Sequence, residues 1–228
     1  MNKKDICQSI GIPLWKPWTL LEYKTRYHNA PKDEQHFEWL MKWVQDHSSD
    51  VIFMWWQTVR SFTMWHRSFR RPSEDLDAII KSPNSIEELH KYISDNWGHL
   101  KYLDKFWCII WELHGSPLSF FIWDLYWIPL EDVETHTYSE IWMLTPEMLT
   151  ALKLRRKNWN KWRWKDLLDI WSLLLSWENG KITFDIDKQE ELATKIGSTK
   201  ISDAINILLD QNWFRENEKV ILEKIKES

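Results

Sequence analysis

Residues 191–214, ELATKIGSTKISDAINILLDQNWF, are the stretch on which the fold assignment turns. Two helical runs flank Gly197. Ala193 is small enough for two helices to cross closely, and a glycine at 197 permits a turn that a Cβ would strain. Ile201, Ile205 and Leu208 recur at helical spacing and would bury one side of the second run. Asp187 with Glu190 forms a capping box that opens the first run, KQEELATKI.

Working outward, Trp164, Leu167, Leu168, Trp171, Leu174 and Leu175 mark a further helix that Asn179-Gly180 ends. KITFDI (181–186) alternates as a strand. The third helix of the set spans Thr199 to Gln211. Trp213-Phe214, a polar turn at 216–218 and VILEKI (220–225) fit a β-hairpin. The order of these elements and the Ala-x-x-x-Gly step resemble a winged helix-turn-helix over residues 164–228. That resemblance implies a third helix able to enter a DNA major groove, with Lys200, Ser202 and Asn206 on its exposed side. Asp203 and Asp210 share that side, and two aspartates against one lysine match phosphate poorly.

Upstream, residues 17–29, 31–47 and 51–71 have the pattern of helices, the last capped by Ser48-Ser49-Asp50 and stopped by Pro72. Ser85-Ile-Glu-Glu88 is a capping box for a helix running to Trp97-Gly98 and resuming to His114-Gly115. Residues 118–128 fit either a helix or a strand, 129–145 a loop, and Thr145-Pro146-Glu147 a helix start. The expected architecture is mainly α. A Trp-rich multi-helix domain (1–150) is followed by a basic aromatic helical junction (151–163) and a winged helix with a small β-hairpin (164–228).

Composition narrows the function classes. The chain has 228 residues, 43% hydrophobic and 28% charged, with a net charge of −4. These values fit a packed core and do not advertise a polyanion binder. Tryptophan is anomalous at nineteen, and glycine is scarce at five, which argues against glycine-rich phosphate loops. Two cysteines, Cys7 and Cys108, suggest no disulfide framework or zinc site and suit a reducing cytoplasm. The opening residues lack a sustained apolar run, so no signal peptide is expected. The apolar stretch 106–130 is interrupted by Glu112, His114, Gly115, Pro117 and Asp124, so no membrane association is expected.

Charge is unevenly placed. Residues 106–152 contain seven acidic and no basic side chains, whereas KLRRKNWNKWRWK (153–165) has seven basic and none acidic. Trp162 lies two residues before Trp164, roughly 200° round a helix, so it points away from the stripe that continues to Leu175. Exposed, Arg155, Arg156, Lys157, Trp159, Lys161, Trp162 and Arg163 would bind phosphates and stack on bases. Folded against the acidic segment, they would be an internal strut. Arg60, Arg67, Arg70 and Arg71 offer a second basic patch on the 51–71 helix.

No catalytic motif is evident: there is no G-x-S-x-G elbow and no H-E-x-x-H. His114 and His136 lie among acidic residues, in surroundings that fit solvated or structural roles. The expected function is therefore a non-catalytic nucleic-acid-binding protein, without metal or cofactor, acting through the basic aromatic helix and the third helix. The alternative is an assembly subunit whose tryptophans and arginines contact partner proteins.

Overall fold

The computed structural model describes residues 5, 46, 50–63, 76–96, 98–103, 108–113, 116–122, 124–138, 141–158, 161–162, 164–209, 219 and 223. The chain forms two compact units: Met1–Gln57 with Arg71–Met143, and Thr58–Arg70 with Leu144–Ser228.

The first unit is built on a seven-stranded mixed sheet, so the expected mainly α architecture is corrected. Its strands are β1 (Val51–Phe53), β2 (Leu76–Ile80), β3 (His99–Leu103), β4 (Cys108–Leu113), β5 (Ser116–Ile122), β8 (Thr135–Tyr138) and β9 (Ile141–Leu144). The spatial order is β3-β4-β5-β2-β1-β9-β8. Pairing is parallel for β2 with β5 and β1 with β9, and antiparallel for β1 with β2, β3 with β4 and β4 with β5. VIF, LDAII and CIIWEL are short β-branched and aromatic runs, buried almost throughout, as strands covered on both faces are. Continuous apolar runs of this kind carry no two-residue alternation, which is why 51–71 and 99–114 suggested helices.

Among the described residues of the 51–71 segment, Val51–Phe53 form β1 and α1 spans Trp55–Thr63. The helix α2 (Pro83–Asp95) starts at Ser82 rather than Ser85, whose hydroxyl instead donates to Asp50 Oδ2 at 2.6 Å. Gly98 follows, and its N–H donates to Ile93 O at 2.8 Å. From there the chain turns into β3 and β4 instead of resuming as a helix. The 129–145 segment holds a 3-10 turn (Leu130–Asp132), β8 and β9 rather than a loop alone. A separate two-stranded ribbon pairs β6 (Asp124–Leu125) with β7 (Ile128–Pro129). The expected helix at 17–29 falls outside the described residues, and of that at 31–47 Asp46 alone is described, in helical conformation.

The second unit is helical. Thr145-Pro146-Glu147 opens α3 (Pro146–Arg155), with Thr145 Oγ1 accepting from Met148 N. The basic stretch that follows is not a helix. Lys157–Asn158 (β10) and Lys161–Trp162 (β11) pair antiparallel as a hairpin leading into α4 (Trp164–Glu178). Gly180 and Gly197 have φ of 64° and 66° and close α4 and α5 (Ile186–Lys195). In each case the next residue's N–H reaches back to the last turn: Lys181 to Ser176 O and Ser198 to Ala193 O. The last described helix is α6 (Ile201–Leu209). Its Ile201, Ala204, Ile205 and Leu208 pack with Leu167, Ile170, Trp171 and Leu174 in one core.

Among the described residues no winged helix is formed. KITFDI forms no strand: Phe184 is buried beside Trp177, with ring centroids 5.8 Å apart, and Ile186 already begins α5. Asp185, not Asp187, caps that helix. Lys219 and Glu223, placed in the hairpin by the sequence pattern, are helical.

Candidate active site

In the first unit β1 leads into the first turn of α1, and β2 lies antiparallel beside β1. Phe53 pairs with Ala78, and Met54 N donates to Asp77 O at 3.3 Å. The N-terminus of α1, which begins at Trp55, therefore stands beside Asp77 at the start of β2. No acidic residue occupies the first turn of α1, so its backbone N–H groups carry the partial positive charge of a helix start.

Register decides which way Asp77 faces. Successive strand residues alternate faces. Leu76, Ala78 and Ile80 are buried and point one way, whereas Asp77 is half-buried and points the other. Asp77 pairs with Ser119 on β5; Ser119 pairs with Ile110 and Pro117 with Glu112 on β4. Asp77, Ser119 and Glu112 thus share a face. Trp111 and Phe120 lie on the opposite face, ring centroids 5.8 Å apart, where Trp111 Nε1 donates to Nδ1 of His90 on α2 at 3.3 Å. The face opposite α2 is the one that carries carboxylates.

A carboxylate beside a helix N-terminus can do specific chemistry. Backbone N–H groups there bind phosphate oxygens. A carboxylate oxygen is a hard donor suited to Mg²⁺, which takes one or two carboxylates and completes its shell with water and substrate phosphates. Among the described residues no group of three His, Cys, Asp or Glu side chains is placed to hold a metal by itself. The donors present fit a metal that arrives with a phosphorylated substrate.

The second unit holds a buried ionic cluster. Lys153 Nζ on α3 lies 2.7 Å from Asp169 Oδ2 and 3.4 Å from Asp166 Oδ1 on α4, and all three side chains are almost fully buried. The cluster ties the two helices at the foot of the β10–β11 hairpin.

The sequence-derived site residues are dispersed. Arg155 and Arg156 end α3, both half-buried. Lys157, Lys161 and Trp162 belong to the hairpin, and Arg60 to α1. Arg67, Arg70, Arg71, Trp159 and Arg163 lie outside the described residues. Lys200 pairs with Glu190 Oε2 at 3.1 Å, Ser202 donates to the same carboxylate, and Asn206 lies one turn along α6. Those hydrogen bonds, Ser202 first, hold the Glu190 carboxyl below its usual range. Asp77 and Glu112 were missed as site residues. The signal available was Asp75-Leu-Asp77, two carboxylates at the two-residue spacing of a strand, ahead of an apolar run.

No protein-family model matches the sequence, and no curated protein matches it. Solved structures do. The chain is similar to the antibiotic-resistance factor ANT(2'')-Ia, with 12% identity and a TM-score of 0.46 over 65% of this chain and 82% of that one. It is similar to JHP933 of Helicobacter pylori, with 16% identity and a TM-score of 0.49 over 86% of this chain and 93% of that one. It is also similar to an H. pylori protein assigned as a nucleotidyltransferase, with 18% identity and a TM-score of 0.48 over 86% and 96%. A mixed sheet with helices stands where the sequence suggested a mainly α chain with a winged helix. The expectation of a non-catalytic nucleic-acid binder relied on a continuous basic helix, and that is corrected: Lys157–Asn158 and Lys161–Trp162 pair as a hairpin. Among the described residues no helix is long and apolar enough to cross a membrane.

Proposed function

We propose that the protein is a metal-dependent nucleotidyltransferase whose donor site lies on the Asp77 face of the first unit. One observation carries the reading: a half-buried carboxylate on an inner strand stands beside a helix N-terminus that bears no acidic residue in its first turn. Nucleotidyl transfer needs groups that hold a triphosphate and its cation in place, and little covalent chemistry from the protein. In this reading the N–H groups at the start of α1 orient phosphate oxygens. Asp77 would hold Mg²⁺, and Glu112 would add negative charge on the same face. The bound cation would neutralise charge developing on the phosphates.

Arg155, Arg156, Lys157 and Lys161, around the β10–β11 hairpin, are candidates for contact with a polyanionic acceptor such as nucleic acid. A cytoplasmic location belongs to the proposal, supported by the buried thiol of Cys108.

The test is release of pyrophosphate from each nucleoside triphosphate with Mg²⁺ and pooled RNA or protein acceptors. Asp77→Asn should lower the rate at least ~100-fold, because several kcal/mol of charge stabilisation are lost, while leaving the melting temperature within a few degrees. Equal rates for the two proteins would remove Asp77 from the site.

A further inference from the structure

The turn between β6 and β7 is built for glycine. Leu125 pairs with Ile128, so two residues, Tyr126 and Trp127, make the whole connection. Both have positive φ, 51° and 70°. Positive φ at both central residues is the signature of a type I′ hairpin turn, whose preferred sequences end in glycine. For a bulky side chain that conformation is an outlier. Trp127 is also 60% exposed, the most exposed large apolar side chain among those described. Neither backbone geometry nor burial accounts for tryptophan here.

The hairpin β10–β11 has the same two-residue spacing between its paired strand ends. Asn158 pairs with Lys161, and the two residues between them in the sequence are Trp159 and Asn160. Composition carries the same mark across the chain. A chain of this length at the usual glycine frequency of about 7% would hold roughly 16 glycines. It holds five, against nineteen tryptophans.

Other tryptophans occupy sites built for an indole. Trp111 is fully buried, stacks edge-on against Phe120 and donates to His90. Trp171 is 1% exposed in the core of the second unit. Among the described tryptophans, Trp111 and Trp171 thus represent a core class and Trp127 a class at tight turns.

We propose that the turn-class tryptophans, Trp127 and Trp159 among them, stand at glycine positions, because the codon UGA in this gene is decoded as glycine where the protein is made. UGA is stop in the standard genetic code, tryptophan in some codes and glycine in others. Translating a glycine-UGA gene with a tryptophan-UGA code would deplete glycine, enrich tryptophan and put indoles into positive-φ turns. All three features are present. The core-class tryptophans come from UGG. Trp55 and Trp56, at the first turn of α1, are the functional corollary, which rests on the nucleotidyl-transfer reading. Glycine at both would give the first turn of α1 a backbone that a phosphate can approach closely.

The experiment is peptide mass spectrometry of the protein isolated from the cell that naturally expresses it, set against the gene's codons. UGA at 127 and 159, UGG at 111 and 171, and a peptide lighter at 127 by the tryptophan–glycine difference are expected. UGG at 127, or tryptophan in the native peptide, would overturn the proposal. As a second measurement, Trp127→Gly in the chain as written should raise the melting temperature by about 2–4 °C; no rise or a fall would count against it. None of these readouts depends on activity, so nucleotidyl transfer stands or falls separately.

Discussion

His90 is neutral by construction. Burial lowers its pKa from 6.5, and its Nδ1 accepts the Trp111 indole N–H, which a protonated ring could not do. A depressed folded-state pKa means that the unfolded chain binds more protons, so stability is present above the unfolded value and lost as pH falls. The melting temperature should therefore decline as pH drops below 6.5 toward the folded pKa, and His90→Phe should flatten that decline. Glycines separate along similar lines. A Cβ at Gly98 would sit 2.3 Å from Ile93 Cγ2 and 3.0 Å from Glu112 O, whereas a Cβ at Gly180 meets nothing within 4 Å. Gly180→Ala pays only for its left-handed backbone, about 1–2 kcal/mol by chemical denaturation. Gly98→Ala should be clearly worse. Gly197 and Gly180 were legible as helix stops because glycine's role there is local. Asp77 was not, because its meaning comes from β1 and β5, which lie far from it in sequence.

At the scale of elements, the Lys153–Asp166–Asp169 cluster is the most informative contact in the second unit. It joins α3 to α4 across the hairpin that separates them, with all three groups 2–3% exposed. Lys153→Met takes the ammonium from between two buried carboxylates, a change that costs about 3–5 kcal/mol. Thermal unfolding should show a fall of roughly 6–20 °C. Replacing Asp166 and Asp169 by Asn in the same protein should recover part of it. Elements with local punctuation were readable: Thr145-Pro146 starts α3 and Asn179-Gly180 ends α4. Elements defined by distant pairing were not. β1 is a brief apolar run and β2 is apolar apart from Asp77, and the basic stretch 153–165 had helical composition throughout but holds a hairpin where Lys157 meets Trp162. KITFDI alternates because Phe184 fills a gap beside Trp177, not because it pairs with another strand. If the turn-class tryptophans stand for glycine, part of the difficulty is explained. Each such residue replaces a turn signal with a core signal, so loops such as 126–127 merge into the apolar runs around them.

At the scale of the molecule, the chain combines a mixed-sheet unit that carries carboxylates on one face with a helical unit that carries the basic hairpin. Whether the first of these is a nucleotide site is the central claim, and equilibrium binding tests it without knowledge of the acceptor. Calorimetric titration of each Mg²⁺–nucleoside triphosphate should be made into the chain as written and into its Trp55→Gly/Trp56→Gly form. The account predicts binding by at least one of the two, lost when EDTA removes the cation and lost again in Asp77→Asn with unchanged circular dichroism. No binding by either form, or binding that survives Asp77→Asn, would contradict it.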